Sequence, residues 1–295
     1  MLAIGVAALL LVAGVVLMTR QPSDSAGQTS TGSLSPVANL QASDYHSLVV
    51  DPNNADRVWF GSHSGIREST DGGRTWRALA GMSGDAMSMA RPASDPTRVY
   101  IAGHDVFKRS SDGGATWHDV STDLPGTDLH GFAADPAEGK HLFTLVAGAG
   151  LYESTDGGDH WQPLAAQPPG AMGALAIAAG TAGSSSTLYA VTSLGVMRSQ
   201  DAGKSWHPAN GDLPQGRDGV RSLLTVPDKP QQLYAGAANG IYRTTDGGTT
   251  WQRVALQGQA VSALAASQSG PLRVYALAAA GAVFRLEGAA LGTAQ

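Results

Sequence analysis

The sequence predicts an all-β chain folded as a six-bladed β-propeller, and three observations carry that prediction. First, the stretch Ser69-Thr70-Asp71-Gly72-Gly73-Arg74-Thr75-Trp76 returns at Ser110 to Trp117, Ser154 to Trp161, Ser199 to Trp206 and Thr244 to Trp251. The tryptophans Trp76, Trp117, Trp161, Trp206 and Trp251 are 41 to 45 residues apart, a period that marks a repeat architecture. Second, each unit carries short apolar runs separated by turn residues, which suits four strands per blade better than a helical solenoid. Third, 38 Gly, 15 Pro and only 15% charged residues fit a turn-rich globular β domain.

In chain order, Leu2 to Met18 is an uncharged apolar run followed by Arg20. Its length is that of a short membrane-spanning helix, and no Ala-x-Ala cleavage site follows. Residues 1–20 therefore read as a signal-anchor, with a cleaved signal peptide as the alternative. The expected location is the cell envelope, with an extracytoplasmic propeller held at the membrane, or a secreted propeller if the segment is cleaved. Residues 21–36 are rich in Ser, Thr, Gly and Gln and read as a flexible linker.

The propeller is expected over 37–288, with 289–295 as a tail. Each unit opens with an apolar first strand: Ser47–Val50, Ser88–Ala90, Gly131–Ala134, Ala174–Ile177, Ser222–Thr225 and Ala263–Ala266. The second strand brings an aromatic residue, namely Trp59, Tyr100, Phe143, Tyr189, Tyr234 and Tyr275. A third strand, the repeated turn and a fourth strand such as Thr75–Leu79 complete the unit. The sixth unit ends at Val283–Leu286 without the turn or its Trp strand. Pro36–Leu40 lies where a fourth strand belongs, so it is expected to close the last blade and cover an open sheet edge. A seven-bladed ring would need an irregular blade that the sequence does not supply.

Asp-Gly-Gly is turn chemistry, because Gly accepts positive φ and an Asp carboxylate accepts nearby backbone N–H groups. At Asp71, Asp112, Asp156, Asp201 and Asp246, with their tryptophans, the chain resembles the Asp-box or BNR repeat, Ser-x-Asp-x-Gly-x-Thr-Trp. The fourth copy departs with Ala202, and the third has His160 in place of Thr. The resemblance implies a propeller of the kind found in sialidases, xyloglucanases, sortilin-type receptors and photosystem II assembly factors. It is similar to small bacterial BNR-repeat proteins grouped with glycosyl hydrolases. In that family the box is a structural turn, and no ligand is assigned to it here.

Antiparallel order puts the start of strand one and the end of strand two on one face, opposite the boxes. There the repeats stop being equivalent. Units one to three lead into their first strands with Asp44-Tyr45-His46, Asp85-Ala86-Met87 and Asp128-Leu129-His130. Units four to six carry Ala171-Met172-Gly173, Gly219-Val220-Arg221 and Ala260-Val261-Ser262. After strand two come His63 in unit one and His104-Asp105 in unit two, where later units have small residues. The repeat itself does not require this bias, so these residues are expected to gather over three adjacent blades.

Several chemistries fit such a cluster. His46, His63, His104, His130 and Arg221 could bind a ligand or a protein partner. The four imidazoles with a carboxylate could hold a divalent metal, zinc, or copper if Met87 joins them. Asp44, Asp85 and Asp128 could supply an acid and base pair to a glycosidic bond. Solvated loop ends with Asp-capped turns are the plain alternative. Arg217-Asp218 and Arg221 could clamp an anion or form a local salt bridge. His118, His141, His160 and His207 fall in outer strands or turns and read as structural or exposed.

Other classes are excluded or disfavoured. A net charge of −5 without a basic stripe argues against nucleic acid. Without cysteine there are no disulfides, thiolate metal sites or Cys-linked lipid anchor. No Arg-Ile-Pro precedes the first box, and none of Glu68, Glu138, Glu153 and Glu287 begins an inner strand on the proposed site face, which argues against sialidase chemistry. The preferred reading is a membrane-tethered or exported propeller that binds a glycan, other ligand or protein partner through the His/Asp face of blades one to three. The alternative is a glycoside hydrolase or a metal-binding propeller.

Overall fold

A computed structural model describes residues 34–170, the backbone of 172–178, and residues 186–216, 219–226 and 229–292. The apolar N-terminal segment and most of the expected linker lie outside them. Among the described residues no helix is long and apolar enough to cross a membrane.

The described chain forms six four-stranded antiparallel sheets. Blade one, for example, runs Ser47–Asp51, Asn54–Ser62, Gly65–Ser69 and Arg77–Ala78 from the inside outward. Successive inner strands lie side by side, the last against the first, around a central channel. The last blade takes its outer strand from Ala38–Asn39, which pairs with Ala282–Glu287 through Ala38 with Val283 and Asn39 with Ala282. Val37 N–H to Val283 O and Leu40 N–H to Gly281 O, both 2.8 Å, extend that seam. The N-terminal closure expected from the missing strand is therefore present.

Continuous burial along the second strands, packed on both faces, builds the core. Trp59, Tyr100, Phe143, Tyr189, Tyr234 and Tyr275 are fully buried between blades. Burying a side chain of that size contributes roughly 2–3 kcal/mol. Their polar tips reach other blades: Tyr100 Oη donates to Gly139 O at 3.0 Å and Tyr275 Oη to Ala55 O at 2.8 Å. Part of the expected tail is ordered too. Gly288–Leu291 is a 3-10 turn whose Leu291 is fully buried, and Tyr234 Oη donates to the Leu291 carbonyl.

The boxes are turns, as their residues require. Asp71 Oδ1 accepts the N–H groups of Arg74 and Thr75 at 3.0 and 2.9 Å, while Thr75 Oγ1 donates to Oδ2 at 2.6 Å. Ser69 Oγ donates to Asp71 Oδ1 and accepts from the Gly73 N–H. These bonds hold the residues before the Trp in the turn. The outer strands are therefore shorter than expected: Arg77–Ala78 pairs in blade one, whereas the sequence suggested Thr75–Leu79. Such short outer strands leave little free edge for another chain to join.

Each box also leans on the preceding blade. Gly114 has φ of +90°, and a Cβ there would fall 2.1 Å from Trp59 Cη2 of blade one. Glycine at that place is needed for both conformation and space. The boxes also touch the one–two turns, as in Gly72 N–H to Asp56 O at 2.9 Å. They consequently lie opposite the ends where the inner strands begin.

Candidate functional site

At the ends where inner strands begin, the His and Asp residues of blades one to three form one continuous arc. The backbone places its carboxylates first. His63 N–H donates to Asp44 Oδ1 at 2.8 Å, and His104 N–H donates to Asp85 Oδ2 at 2.9 Å. Gly103 leaves room for the second of these, since a Cβ there would lie 2.9 Å from Asp85 Cγ.

The imidazoles then alternate with the carboxylates. His46 Nε2 lies 3.3 Å from Asp44 Oδ1, and His63 Nδ1 lies 3.0 Å from Asp44 Oδ2. The other nitrogen of His63 is 3.9 Å from Asp85 Oδ1. His104 Nδ1 is 2.6 Å from Asp85 Oδ2, and its Nε2 is 3.3 Å from Asp128 Oδ1. His130 Nε2 ends the series at 2.7 Å from Asp128 Oδ1. Neighbouring rings are 4.4, 5.6 and 5.4 Å apart between centroids. Three overlapping groups, Asp44/His46/His63, His63/Asp85/His104 and His104/Asp128/His130, each bring their donor atoms within 4.8 Å of one another and could hold a metal ion.

Electrostatics differ along the arc. Burial would raise the pKa of Asp44, but hydrogen bonds from Ser43 and the His63 backbone, with the two neighbouring imidazoles, outweigh it and leave it lowered. His46 is pushed down, first by burial and then by repulsion from His63, although Asp44 and Asp85 oppose the shift. Asp85 is less than a tenth exposed, and its Oδ1 has no hydrogen-bond partner. His46 Nε2 and Asp128 Oδ1 are likewise buried without a hydrogen-bond partner. A buried carboxylate oxygen left this way is costly unless something satisfies it.

Beside the arc, the channel mouth opens into a cavity of about 340 Å³. Its wall includes His46, Met87, His130 and Arg221, together with apolar Tyr45 and Phe132. Of the expected site residues, Asp44, His46, His63, Asp85, His104, Asp128 and His130 thus converge, while Met87 and Arg221 line the adjoining mouth. Asp105 does not join the arc: it accepts a hydrogen bond from Thr127 and adopts φ of +54°. Arg217, Asp218 and Ala171 lie outside the described residues, as do the side chains of Met172 and its strand.

The remaining histidines sit elsewhere. His118 and His207 begin exposed outer strands, and His160 takes the place of the box Thr, 2.7 Å from Asp156 Oδ2. His141 is held 2.5 Å from Glu153. Burial would lower its pKa, but that hydrogen bond and the charges of Glu153, Asp135 and Glu138 raise it.

Two supports of the arc were missed in the sequence. The backbone clamps join Asp44 to His63 and Asp85 to His104, each at a separation of 19 residues. Blade three has Ala147 at the corresponding place, where its N–H goes to the Asp128 carbonyl instead. That shared spacing was a readable signal. Gly103, which closes the second strand of blade two directly before His104, was a second one.

The family model described as photosynthesis system II assembly factor YCF48 matches residues 39–195, more than half of the chain. The chain belongs to this family. No curated protein matches it significantly in sequence. Among solved structures, this family member resembles the GH74 xyloglucanase from Xanthomonas campestris, with a TM-score of 0.58 and 18% identity. That match covers 85% of this chain and 52% of the enzyme. A GH74 enzyme from Niastella koreensis gives a TM-score of 0.55 at 18% identity, over 82% of this chain and 36% of that one. The chain thus spans about a third to a half of these enzymes. YCF48 bound to D1 peptide gives a TM-score of 0.57 at 17% identity, covering 85% of this chain and 95% of that one. At such identities the likeness is one of fold.

Proposed function

We propose that this chain is a binding propeller that holds a segment of a partner polypeptide at the mouth of its central channel. The observation that carries this reading is the cavity of about 340 Å³ framed by His46, Met87, His130 and Arg221. Its volume is within the range of small-ligand pockets, roughly 300–1,000 Å³. It offers a guanidinium, imidazoles and apolar wall, a mixture that suits the side chains and carbonyls of an extended peptide. The family supports the same choice, since the structure of YCF48 with its D1 peptide shows that one propeller of this shape takes a peptide.

Hydrolysis fits the arc less well. A glycosidase needs one carboxyl kept protonated as general acid, with its pKa raised. Asp44 is shifted the other way, and Asp85 Oδ2 is held by a backbone N–H and an imidazole. A divalent ion is a further occupant that the arc's donors would accept, alongside a peptide over Arg221. The uncharged run from Leu2 to Met18 supports a propeller tethered at the membrane.

The test is an immobilised library of ten-residue peptides, with aryl glycosides and xyloglucan oligosaccharides assayed in parallel. Wild-type protein should retain a subset of peptides. Arg221→Ala should weaken that binding by about tenfold, the loss expected for a charged contact of 1.5 kcal/mol or so. Lys204→Ala on the box face should leave it unchanged. The reading is overturned if no peptide binds, or if a glycoside is turned over by wild-type protein and not by Asp85→Asn.

A further inference from the structure

We infer that the middle of the arc is a binding site for a zinc-like divalent ion, with His63 Nε2, Asp85 Oδ1 and His104 Nδ1 as its ligands. The central group is singled out by its carboxylate. Asp85 is the most buried carboxylate of the three, and its Oδ1 faces His63 Nε2 at 3.9 Å, beyond hydrogen-bond reach. An acceptor and a ring nitrogen therefore face each other without a hydrogen bond. In the first group both oxygens of Asp44 are already engaged, by the His63 N–H and by Ser43 and His63 Nδ1. In the third group Asp128 Oδ1 is already within ion-pair distance of two imidazoles, His130 at 2.7 Å and His104 at 3.3 Å.

The outer carboxylates have the positions of supports. Metal-bound histidines ordinarily donate their second N–H to a carboxylate, which fixes the tautomer and raises ligand basicity. Here Asp44 Oδ2 stands 3.0 Å from His63 Nδ1, which leaves Nε2 free to face Asp85. Asp128 Oδ1 stands 3.3 Å from His104 Nε2, which leaves Nδ1 toward Asp85. On both sides of Asp85 an outer carboxylate stands at the ring nitrogen turned away from it, although His63 faces it by Nε2 and His104 by Nδ1. His46 and His130 then hold the outer carboxylates in turn.

Ligand atoms on a tetrahedral zinc lie roughly 3.3 Å apart, given bonds of about 2.0–2.1 Å. Asp85 Oδ1 stands 3.9 Å from His63 Nε2, and the other oxygen of the same carboxylate stands 2.6 Å from His104 Nδ1, so rotation of the carboxylate and the two rings would bring the three donors to ligand spacing. Two imidazoles and one carboxylate suit zinc and its transition-metal neighbours, and magnesium or calcium poorly. His63 and His104 are each about half exposed, which leaves a fourth position open to solvent or to a donor from a bound partner.

The experiment is a calorimetric titration of the full chain, stripped with chelator, using zinc, nickel and magnesium salts. One equivalent of zinc or nickel should bind saturably, and magnesium should not. Asp85→Asn should weaken zinc by a hundredfold or more. Asp44→Asn and Asp128→Asn should each cost about 10- to 100-fold, as losses of orienting carboxylates do. His118→Gln should change nothing. If Asp85→Asn fails to fold, His63→Gln and His104→Gln replace it. Zinc should also shift the imidazole nitrogen resonances of His63 and His104 and leave those of His207 in place.

Absence of saturable zinc uptake overturns the site, as does uptake that survives Asp85→Asn or both histidine variants. This outcome is separable from the peptide reading, because Arg221→Ala should lose peptide and keep zinc.

Discussion

On the box side of the propeller, five turns repeat nearly the same bonds, whereas on the mouth side the six blades present unlike residues. Ser110, Asp112 and Thr116 in blade two make the contacts that Ser69, Asp71 and Thr75 make in blade one. At the mouth, Asp85 and His104 have no counterpart in blade five, which has Gly219 and Ala238 in their places. The difference teaches where stability and recognition reside. What every blade must do to fold is repeated, and what some blades do alone is free to serve binding. The comparison can be broken by substitutions on either side.

The largest effect should come from Arg91, where the inner strand of blade two ends on the box side. Its side chain is 2% exposed, and its Nη2 lies 2.8 Å from Asp51 Oδ2. It also stacks on Trp59, 4.6 Å from the ring centroid. Arg57 shares Asp51 with it and also pairs with Glu68, in a network between blades one and two. Arg91→Ala would leave Asp51 with Arg57 as its remaining guanidinium and open a void over Trp59, at a cost on the order of 3 kcal/mol. A thermal melt should show a fall on the order of 10 °C, since 1 kcal/mol shifts a domain of this size by about 2–4 °C. A fall of less than about 3 °C would show that the box side is not where stability is concentrated.

A second test uses acid. The carboxyl groups of all five box aspartates are held below their ordinary range, chiefly by hydrogen bonds from the Thr, Ser or His four residues on, and Asp246 is lowered to about 2. A group whose folded pKa is depressed stabilises the fold above its unfolded value, near 4, and loses that contribution as pH falls through the folded value. The melting temperature should therefore drop steeply between about pH 4 and pH 2. Asp246→Asn should flatten that slope, and a mouth variant such as Asp128→Asn should not. Equal flattening in both would erase the distinction between the faces.

Sequence and structure agree most closely where the physics is local. The box needs one carboxylate, a hydroxyl and glycines at fixed spacing, so its period alone exposed the blades and the closing strand Ala38–Asn39. The arc was legible as a bias because repeats that differ cannot both be demanded by the fold. Its order was not legible. That His63 stands between Asp44 and Asp85 depends on loop geometry from two blades. Arg91 went unnoticed for a related reason: a single Arg after a first strand carries no period, and its partner Asp51 lies in another blade. Gln268, which donates from blade six to the Arg91 carbonyl, was equally silent.

The smallest effect on stability should come from the mouth, and it is the most demanding test of the comparison. His63 is about half exposed, and among the described residues its ion pairs and ring contacts are with Asp44, Asp85, His46 and His104, which have no counterparts in blades four to six. Blade four carries Ser193 in the equivalent place and still forms its four strands. His63→Ser therefore asks blade one to adopt what blade four already tolerates. Surface changes of this sort usually lie within about 0.5 kcal/mol, so the melting temperature should move by no more than about 2 °C. Zinc affinity, by contrast, should fall by a hundredfold or more with the loss of a ligand whose second nitrogen Asp44 already holds. A large loss of stability with little change in zinc affinity would make His63 a part of the scaffold, and the mouth would then obey the same rule as the boxes.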